Sequence, residues 1–260
     1  MDIFIFTYAS DASLLPLCIG HASQHGNVIL VDDATNPATD DAGAQDLGAH
    51  EYVRSTFDRG GNLNGSTAIR GMLETYRDHG TDDWVMQCDS DTLLFRPGLL
   101  ITGAPSGVTL IGQARGHCDA IDSSTPYHSV NGPGMLIRRD TIPAMIALLD
   151  RPDIVERIDA GPGYSDHVIT ILHQMAGGRV EFLRHERAQM IDGVYRRAAM
   201  HRLSNHEHPL CVHSAVVQVY SKASDFDTPA ARTAATLAAM QQIAAEWCPA
   251  QAPGLTVGSR

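Results

Sequence analysis

The sequence has few basic residues and no long apolar stretch. Its 260 residues include 19 lysines and arginines against 30 aspartates and glutamates, a formal net charge of -11. This balance argues against a nucleic-acid backbone or an anionic membrane as the main partner, because both are bound through basic patches. No window approaches the roughly 20 apolar residues that a membrane span needs. The first residues contain neither a basic segment nor a long apolar run, so we expect no signal peptide.

Paired cysteines are also missing. The five cysteines are scattered along the chain, and no two of them form a C-x-x-C motif. We therefore expect neither a disulfide framework nor a structural zinc site. The cysteines are interpreted as small buried side chains of a cytoplasmic protein, where thiols stay reduced. The apolar share of 43% is that of an ordinary globular protein, so the chain can bury a core of its own.

The order of the apolar runs predicts an α/β fold. Residues 3–7 and 28–31 are short apolar runs, and residues 14–24 between them have helical spacing. This strand–helix–strand order begins a mostly parallel sheet with helices on both faces. Ligands of such sheets bind beyond the carboxyl ends of the strands. The same criteria predict helices at 66–79, 164–175 and 229–247, and loops at 35–48 and 59–65.

The strongest motif is an aspartate pair that follows a strand in the middle of the chain. Residues 84–88 form that strand, and Asp89, Ser90 and Asp91 come directly after it. Alternation puts the two carboxylates on one side of the backbone, where they repel each other unless a cation lies between them. Hard oxygen ligands favour Mg²⁺ or Mn²⁺. Such a cation can bridge the phosphates of a nucleotide-sugar and stabilise the departing nucleoside diphosphate.

The segment WVMQCDSDTLLFRP resembles the metal-binding D-x-D segment of GT-A glycosyltransferases. The resemblance extends to IFTYAS and LVDD near the start, to NLNGSTAIRGMLETY before the D-x-D, and to NGPGMLIRR, YSDHVITIL and LCVHS after it. It implies a Rossmann-type nucleotide-binding sheet in one catalytic domain over residues 1–228. Residues 1–95 would be the nucleotide-binding half and residues 96–228 the acceptor half. A C-terminal helix and a loose tail would follow over residues 229–260.

The resemblance also implies roles for residues after the D-x-D. His213, in LCVHS, would be a third metal ligand beside Asp89 and Asp91, although a lone histidine on a strand is more often a core residue. The alternatives in the preceding loop are His201, His206 and His208. Asp166, in YSDHVITIL, would be a general base for the acceptor hydroxyl or would bind substrate hydroxyls. The helix dipole alone also favours an acidic residue in a first turn.

A further set of residues is predicted to bind the donor. Asp32 or Asp33 would accept a hydrogen bond from a ring N–H of the base, which favours uracil and hence a UDP-sugar. The base and ribose would pack on Thr7, Tyr8 and Ala9. The sugar pocket would include Asn131 and Gly132. The remaining candidates, chiefly for phosphate or ribose, are Arg59, Asn62, Arg70, Ser90 and Lys222.

Three other functions compete with a glycosyltransferase. A haloacid-dehalogenase-type phosphatase also has D-x-D after a strand and uses the first aspartate as nucleophile. Its motif resembles D-x-D-x-Thr/Val near the N-terminus, whereas Leu93 holds the fifth position here. A sugar-phosphate nucleotidylyltransferase has a basic Gly-rich loop after its first strand, which FTYASDASLL does not resemble. A non-catalytic nucleotide-sugar-binding module would not need an intact D-x-D.

The sequence therefore predicts a divalent-metal-dependent transfer of a sugar from a nucleoside diphosphate to a hydroxyl acceptor. The acceptor remains open among a saccharide, a lipid carrier, a protein and a small metabolite. Nucleic acid is disfavoured by the acidic composition. Whether the anomeric configuration is inverted or retained also stays open.

Overall fold

The computed structural model describes residues 1–57, 63–118, 127–161, 163–183, 189–191, 194–200, 214–221 and 226–247. The first half of the chain contains β1 (Asp2–Thr7), α1 (Leu15–Ala22), β2 (Asn27–Asp32), α2 (Asp41–Asp46), β3 (Glu51–Arg54), α3 (Ser66–His79), β4 (Trp84–Asp89), β5 (Thr92–Leu94), α4 (Gly98–Thr102) and β6 (Leu110–Cys118). The second half contains β7 (Tyr127–Val130), β8 (Met135–Arg138), α5 (Ile142–Leu148), α6 (Pro152–Ala160), α7 (Ser165–Met175), β9 (Val180–Leu183), β10 (Gln189–Ile191), β11 (Val194–Met200), β12 (Ser214–Ser221) and α8 (Pro229–Trp247).

The central sheet is mostly parallel. Its strand order is β3-β2-β1-β4-β8-β6-β7, and β9 also pairs with β6. Strand β1 is parallel to β2 and β4, β2 is parallel to β3, and β6 is parallel to β9. Strand β8 is antiparallel to both β4 and β6, so those two strands run in the same direction. The predicted α/β class with a mostly parallel sheet is confirmed.

Helices cover both faces of this sheet because side chains along each strand alternate between two cores. In β1, Ile3 and Ile5 join the core that contains α1 and α8, whereas Phe4 and Phe6 join the core that contains α3, α5, α6 and α7. All four side chains are buried. A strand buried on both faces needs apolar residues at every position, which explains the unbroken apolar run in the sequence.

A second, antiparallel sheet has the order β10-β11-β12-β5. Strand β4 ends at Asp89 in the central sheet, and β5 begins at Thr92 in the second sheet. The N–H of Val219 in β12 donates to the carbonyl oxygen of Asp91 at 2.9 Å. The aspartate motif therefore lies at the junction of the two sheets.

The C-terminal helix α8 occupies the predicted range 229–247 and packs against the core on one face of the central sheet. Met240 and Ile243 are completely buried in the core that also contains α1. The hydroxyl of Thr233 donates to the carbonyl oxygen of Ser10 at 3.4 Å, so the helix also contacts the turn after β1. This helix is consequently part of the same core as the central sheet.

Helices α3 and α7 confirm the predictions for residues 66–79 and 164–175 within one residue. The first turn of α3 is capped from α6, because the Asp159 carboxylate accepts both the N–H and the hydroxyl of Ser66 at 2.8 Å. Gly71 gives α3 a close approach to Phe57: a Cβ there would lie 2.2 Å from the Phe57 ring.

The prediction of a loop over residues 35–48 is wrong in part, because α2 lies inside it. The Asp40 carboxylate caps this helix by accepting the N–H of Gly43 at 2.8 Å, and Ala44 is completely buried. A side-chain cap and one packed residue thus stabilise a helix whose composition resembles a loop. In the ranges that the structure describes, no helix is both long and apolar enough to cross a membrane.

Candidate active site

An open cleft of about 370 Å³ lies at the carboxyl ends of β1 and β4. The turn after β1 supplies Tyr8 and Asp11 to its wall, and β4 with the following turn supplies the aspartate motif. The remaining walls come from the segment between β7 and β8, the start of α7, β12 and α8. Open α/β sheets bind ligands at this position, beyond the carboxyl ends of parallel strands.

The two carboxylates of the motif both contact the side-chain amide of Gln218. The Nε2 atom of Gln218 is 3.5 Å from Oδ2 of Asp89 and 3.4 Å from Oδ1 of Asp91. Gln218 comes from β12 and Asp89 from β4, so the contact joins the two sheets. The structure thus brings the predicted metal-binding pair together in the cleft.

A third carboxylate lies beside this pair. Asp11 ends the short 3-10 turn after β1, and the hydroxyl of Ser90 donates to its Oδ2 at 2.7 Å. Both residues are buried. Burial raises the pKa of Asp91 well above its usual range, and the negative charges of Asp89 and Asp11 raise it further. A region with this concentration of negative charge favours a bound cation.

The atoms that could bind a metal at this point of the cleft are carboxylate oxygens, which suit Mg²⁺ or Mn²⁺. Asp89 and Asp91 offer carboxylate oxygens, and no group of three or more His, Cys, Asp or Glu side chains forms a metal site within the described part of the chain. Mg²⁺ is often held by one or two carboxylates and completes its coordination with water or substrate phosphate. The residues present fit such a cation. The histidines at 201, 206, 208 and 213 lie outside the described residues.

Asp166 reaches the same cleft from the first turn of α7. It is buried, and its Oδ1 accepts the N–H of His167 at 2.9 Å while Nε2 of His167 lies 3.9 Å away. The exposed ring of Tyr164 stands edge-on to the His167 ring at the rim, with centroids 5.6 Å apart. The predicted catalytic carboxylate and the aspartate pair therefore open onto one space.

Asn131 and Gly132 line the cleft between these two groups of carboxylates. The Nδ2 atom of Asn131 donates to Oε1 of Gln218 at 3.3 Å, and the Asn131 side chain is buried. A Cβ at Gly132 would lie 2.8 Å from the amide nitrogen of Gln87 and 3.5 Å from Cβ of Asp166. Glycine at this position therefore permits the close approach of the chain to the buried Gln87 amide.

The predicted base-binding aspartates lie at the end of β2. The Asp32 carboxylate is completely buried and accepts backbone N–H groups of Ala38 and Thr39 at 2.8 to 3.0 Å. Asp33 Oδ1 accepts the N–H of Thr35 at 2.9 Å. Asp32 therefore shapes the loop after β2, and both aspartates border a small hollow next to the main cleft.

The three donor-binding candidates at the end of β1, Thr7, Tyr8 and Ala9, do not all line the main cleft. Thr7 borders the small hollow, and its buried hydroxyl has no hydrogen-bond partner among the described residues. Tyr8 lines the main cleft. Ala9 belongs to the turn, where its N–H donates to the carbonyl oxygen of Asn36 at 2.9 Å.

The structure does not bring Arg70 into the cleft. Its guanidinium pairs with the Asp150 carboxylate at 2.7 Å and lies 3.8 Å from Glu74, within the helical layer. Both acidic partners are exposed, and a donor contact at Arg70 is not supported. The other predicted donor-binding residues Arg59, Asn62 and Lys222 lie outside the described residues.

The cleft residues that the sequence did not place in the predicted site include Asp11, Gln218 and Arg232. Gln218 interrupts the apolar run VVQV, and Arg232 has no acidic residue three or four positions away on its helix, two signals that could have marked them. Arg232 is the one basic residue among the described residues that line the cleft.

No protein-family model matches this chain, and no curated protein matches it either. The choice of function therefore depends on the chemistry of the cleft.

Proposed function

We propose that this protein is a GT-A-type glycosyltransferase that transfers a sugar from a nucleoside diphosphate donor to a hydroxyl acceptor. The nucleoside diphosphate that we propose is UDP. The observation that carries the proposal is the shared cleft: a strand-end aspartate pair and Asp166 open onto one space at the carboxyl ends of parallel strands. Sugar transfer from a nucleotide needs a cation for the diphosphate and a base for the acceptor, and this cleft offers residues for both.

The leaving diphosphate requires positive charge. Four carboxylates and one arginine line the described cleft, so its own residues give it a negative character. Asp89 and Asp91 would hold Mn²⁺ or Mg²⁺, which supplies the charge that stabilises the departing diphosphate. Arg232, on the first turn of α8, adds a guanidinium that can donate to phosphate oxygens in the same space.

The nucleoside would lie against the end of β1. Tyr8 borders the main cleft, and the hollow beside Thr7 and Asp33 continues from it past the shared residue Phe6. An unpartnered hydroxyl in such a hollow is costly unless a ligand or a water molecule completes its hydrogen bonds. A single polar atom of the donor, or one water molecule in this hollow of about 10 Å³, would complete that hydrogen bonding.

The acceptor would enter past Tyr164 and meet Asp166. As the acceptor oxygen attacks the anomeric carbon, the Asp166 carboxylate would take the hydroxyl proton. His167 fixes the position of that carboxylate through its backbone N–H at 2.9 Å. A base that activates the acceptor directly implies displacement with inversion; retention would assign Asp166 to substrate hydroxyls instead.

The test is a thermal unfolding experiment with UDP, GDP, ADP and CDP, each with and without Mn²⁺. Saturation of a single site at 100 times Kd stabilises a protein by about 2.7 kcal/mol, which for a chain of this size is roughly 5–10 °C. We expect metal-dependent stabilisation by UDP in the wild type and its loss in Asp91→Ala. The control is Asp78→Ala, an exposed aspartate on α3.

An absence of any stabilisation by nucleoside diphosphates with Mn²⁺ would refute the proposal. Stabilisation that survives intact in Asp91→Ala would refute the role of the aspartate pair. Stabilisation by GDP but not by UDP would support a glycosyltransferase whose donor is a GDP-sugar.

A further inference from the structure

Gln218 occupies a fixed position beside the aspartate pair. It pairs with Thr92 of β5, and its neighbours Val217 and Val219 are buried in the core. The backbone N–H of Val219 holds the carbonyl oxygen of Asp91 at 2.9 Å. The backbone of Gln218 is therefore fixed next to the D-x-D turn, because β12 pairs with β5 and β5 begins directly after that turn.

The side chain of Gln218 is held at both ends of its amide. Its Nε2 faces Asp89 and Asp91 at 3.5 and 3.4 Å, and its Oε1 accepts Nδ2 of Asn131 at 3.3 Å. The two contacts to carboxylates are long for hydrogen bonds, which are strongest near 2.9 Å. The amide thus lies between the carboxylates without forming a short bond to either.

The oxygen and nitrogen of a glutamine amide have nearly the same size, so a half-turn of the group exchanges them in the same volume. After such a half-turn, Oε1 would face the carboxylates and Nε2 would face Asn131, whose own amide can turn to accept. Neighbouring ligands in an octahedron with bonds of 2.0–2.1 Å are about 3 Å apart. The observed separations of 3.4 and 3.5 Å require only a small inward movement.

We infer that Gln218 is a protein ligand of the divalent cation, in addition to Asp89 and Asp91, and that its amide turns when the cation binds. Without the cation, the amide N–H₂ group lies between the two carboxylates. With the cation, the carbonyl oxygen of the amide joins the carboxylate oxygens, a donor that hard cations accept. This inference rests on the metal dependence in the proposed function.

A contrary role for Gln218 makes the opposite prediction. If the amide only occupies the space between the carboxylates, it competes with the cation, and its removal leaves Mn²⁺ affinity unchanged or raises it. If the amide is a ligand, its removal lowers that affinity. The sign of the change therefore separates the two roles.

The experiment measures binding of Mn²⁺ alone by the loss of the electron paramagnetic resonance signal of free Mn²⁺. The variants are Gln218→Met, which preserves volume, and Gln218→Ala, which serves if the first variant does not fold. The control is Gln45→Met, whose amide contacts Asp41 at 3.1 Å on α2, away from the cleft. We expect at least about a tenfold loss of affinity in either Gln218 variant, since removal of groups that only orient ligands already costs this much.

Unchanged or tighter Mn²⁺ binding in a folded Gln218 variant overturns the inference and leaves the proposed function standing, since the wild type still binds the metal. A wild type that binds no Mn²⁺ in the absence of nucleotide overturns the inference, whereas the proposed function is decided separately by thermal unfolding with UDP and Mn²⁺. A tenfold or larger loss in the Gln218 variants, with an unchanged Gln45→Met control, supports the inference.

Discussion

Replacement of Asp91 by asparagine should make the metal-free protein more stable. Burial and the charges of Asp89 and Asp11 raise the pKa of Asp91 well above its usual range, so its ionised form is unfavourable in the fold. Asparagine keeps the shape and one acceptor oxygen but removes the charge. The variant should therefore unfold at a higher temperature than the wild type in EDTA, although it loses its response to Mn²⁺ and UDP.

The size of this gain follows from the positions of the two carboxylates. Because Oδ2 of Asp89 and Oδ1 of Asp91 both lie within 3.5 Å of one nitrogen, the two oxygens are at most about 7 Å apart. Two unit charges at that separation repel each other by about 2 kcal/mol at an effective dielectric constant of 20. For a domain of this size that energy corresponds to an increase in Tm of roughly 5 °C.

The pH dependence of the gain has a definite sign. The folded wild type binds more protons than the unfolded chain from the ordinary pKa of 3.8 up to the raised pKa of Asp91, so its stability falls as pH rises through this range. The Asp91→Asn variant has no carboxyl group at this position, so its stability does not decrease with pH for this reason. The difference in stability should therefore be small near pH 4 and grow toward neutral and alkaline pH.

The assay is circular dichroism melting in EDTA at several pH values for the wild type, Asp91→Asn and Asp78→Asn. The last variant is a control of opposite sign, because a hydrogen bond from Arg77 lowers the pKa of the exposed Asp78 carboxyl. It should give no gain. An Asp91→Asn protein that is less stable than the wild type at pH 8 in EDTA would show that the folded cleft does not suffer charge repulsion.

Three further changes test the cleft and the core. Asp166→Asn should keep the Mn²⁺-dependent stabilisation by UDP but lower the rate of UDP release from a UDP-sugar by about 10²-fold or more; an unchanged rate would exclude Asp166 as the base. Arg232→Ala should weaken UDP binding by roughly tenfold or more in calorimetric titration, whereas Arg77→Ala should not change it; equal effects would argue against a phosphate contact. Gly71→Ala should cost about 1–3 kcal/mol in urea unfolding, because its Cβ would meet the Phe57 ring at 2.2 Å; an unchanged midpoint would mean that the ring moves aside freely.

Elements whose signal is local could be predicted from the sequence. Residues 3–6 of β1 are all apolar because both faces of the strand are buried, and α3 has one apolar stripe that ends near Gly80. The aspartate pair belongs to this group as well, since strand alternation alone places two carboxylates on one side of the backbone. These predictions need only the periodicity of a single segment.

Elements that depend on distant partners were not visible in the sequence. Strand β3 is a half-exposed edge strand without a clear apolar pattern, and it forms by pairing with β2. Gln218 comes near the motif only because β12 pairs with β5, far away in sequence. Arg232 lies at the cleft only because α8 packs on the core through Met240 and Ile243, which follow it along the same helix. No window of the sequence contains both members of these contacts.

The position of α8 in the chain has a consequence for biosynthesis. A ribosome delivers β1, β2 and β4 first, whereas a domain folds as a unit. The aspartate motif is therefore made long before the helix that carries Arg232 and closes one wall of the cleft. A nascent chain that has not emerged beyond β12 lacks one wall of the cleft and part of the core. Under the proposed function, competence to bind the donor would thus arise late in translation, and a chain that ends after β12 would lack both Arg232 and the buried Met240 and Ile243 of the core.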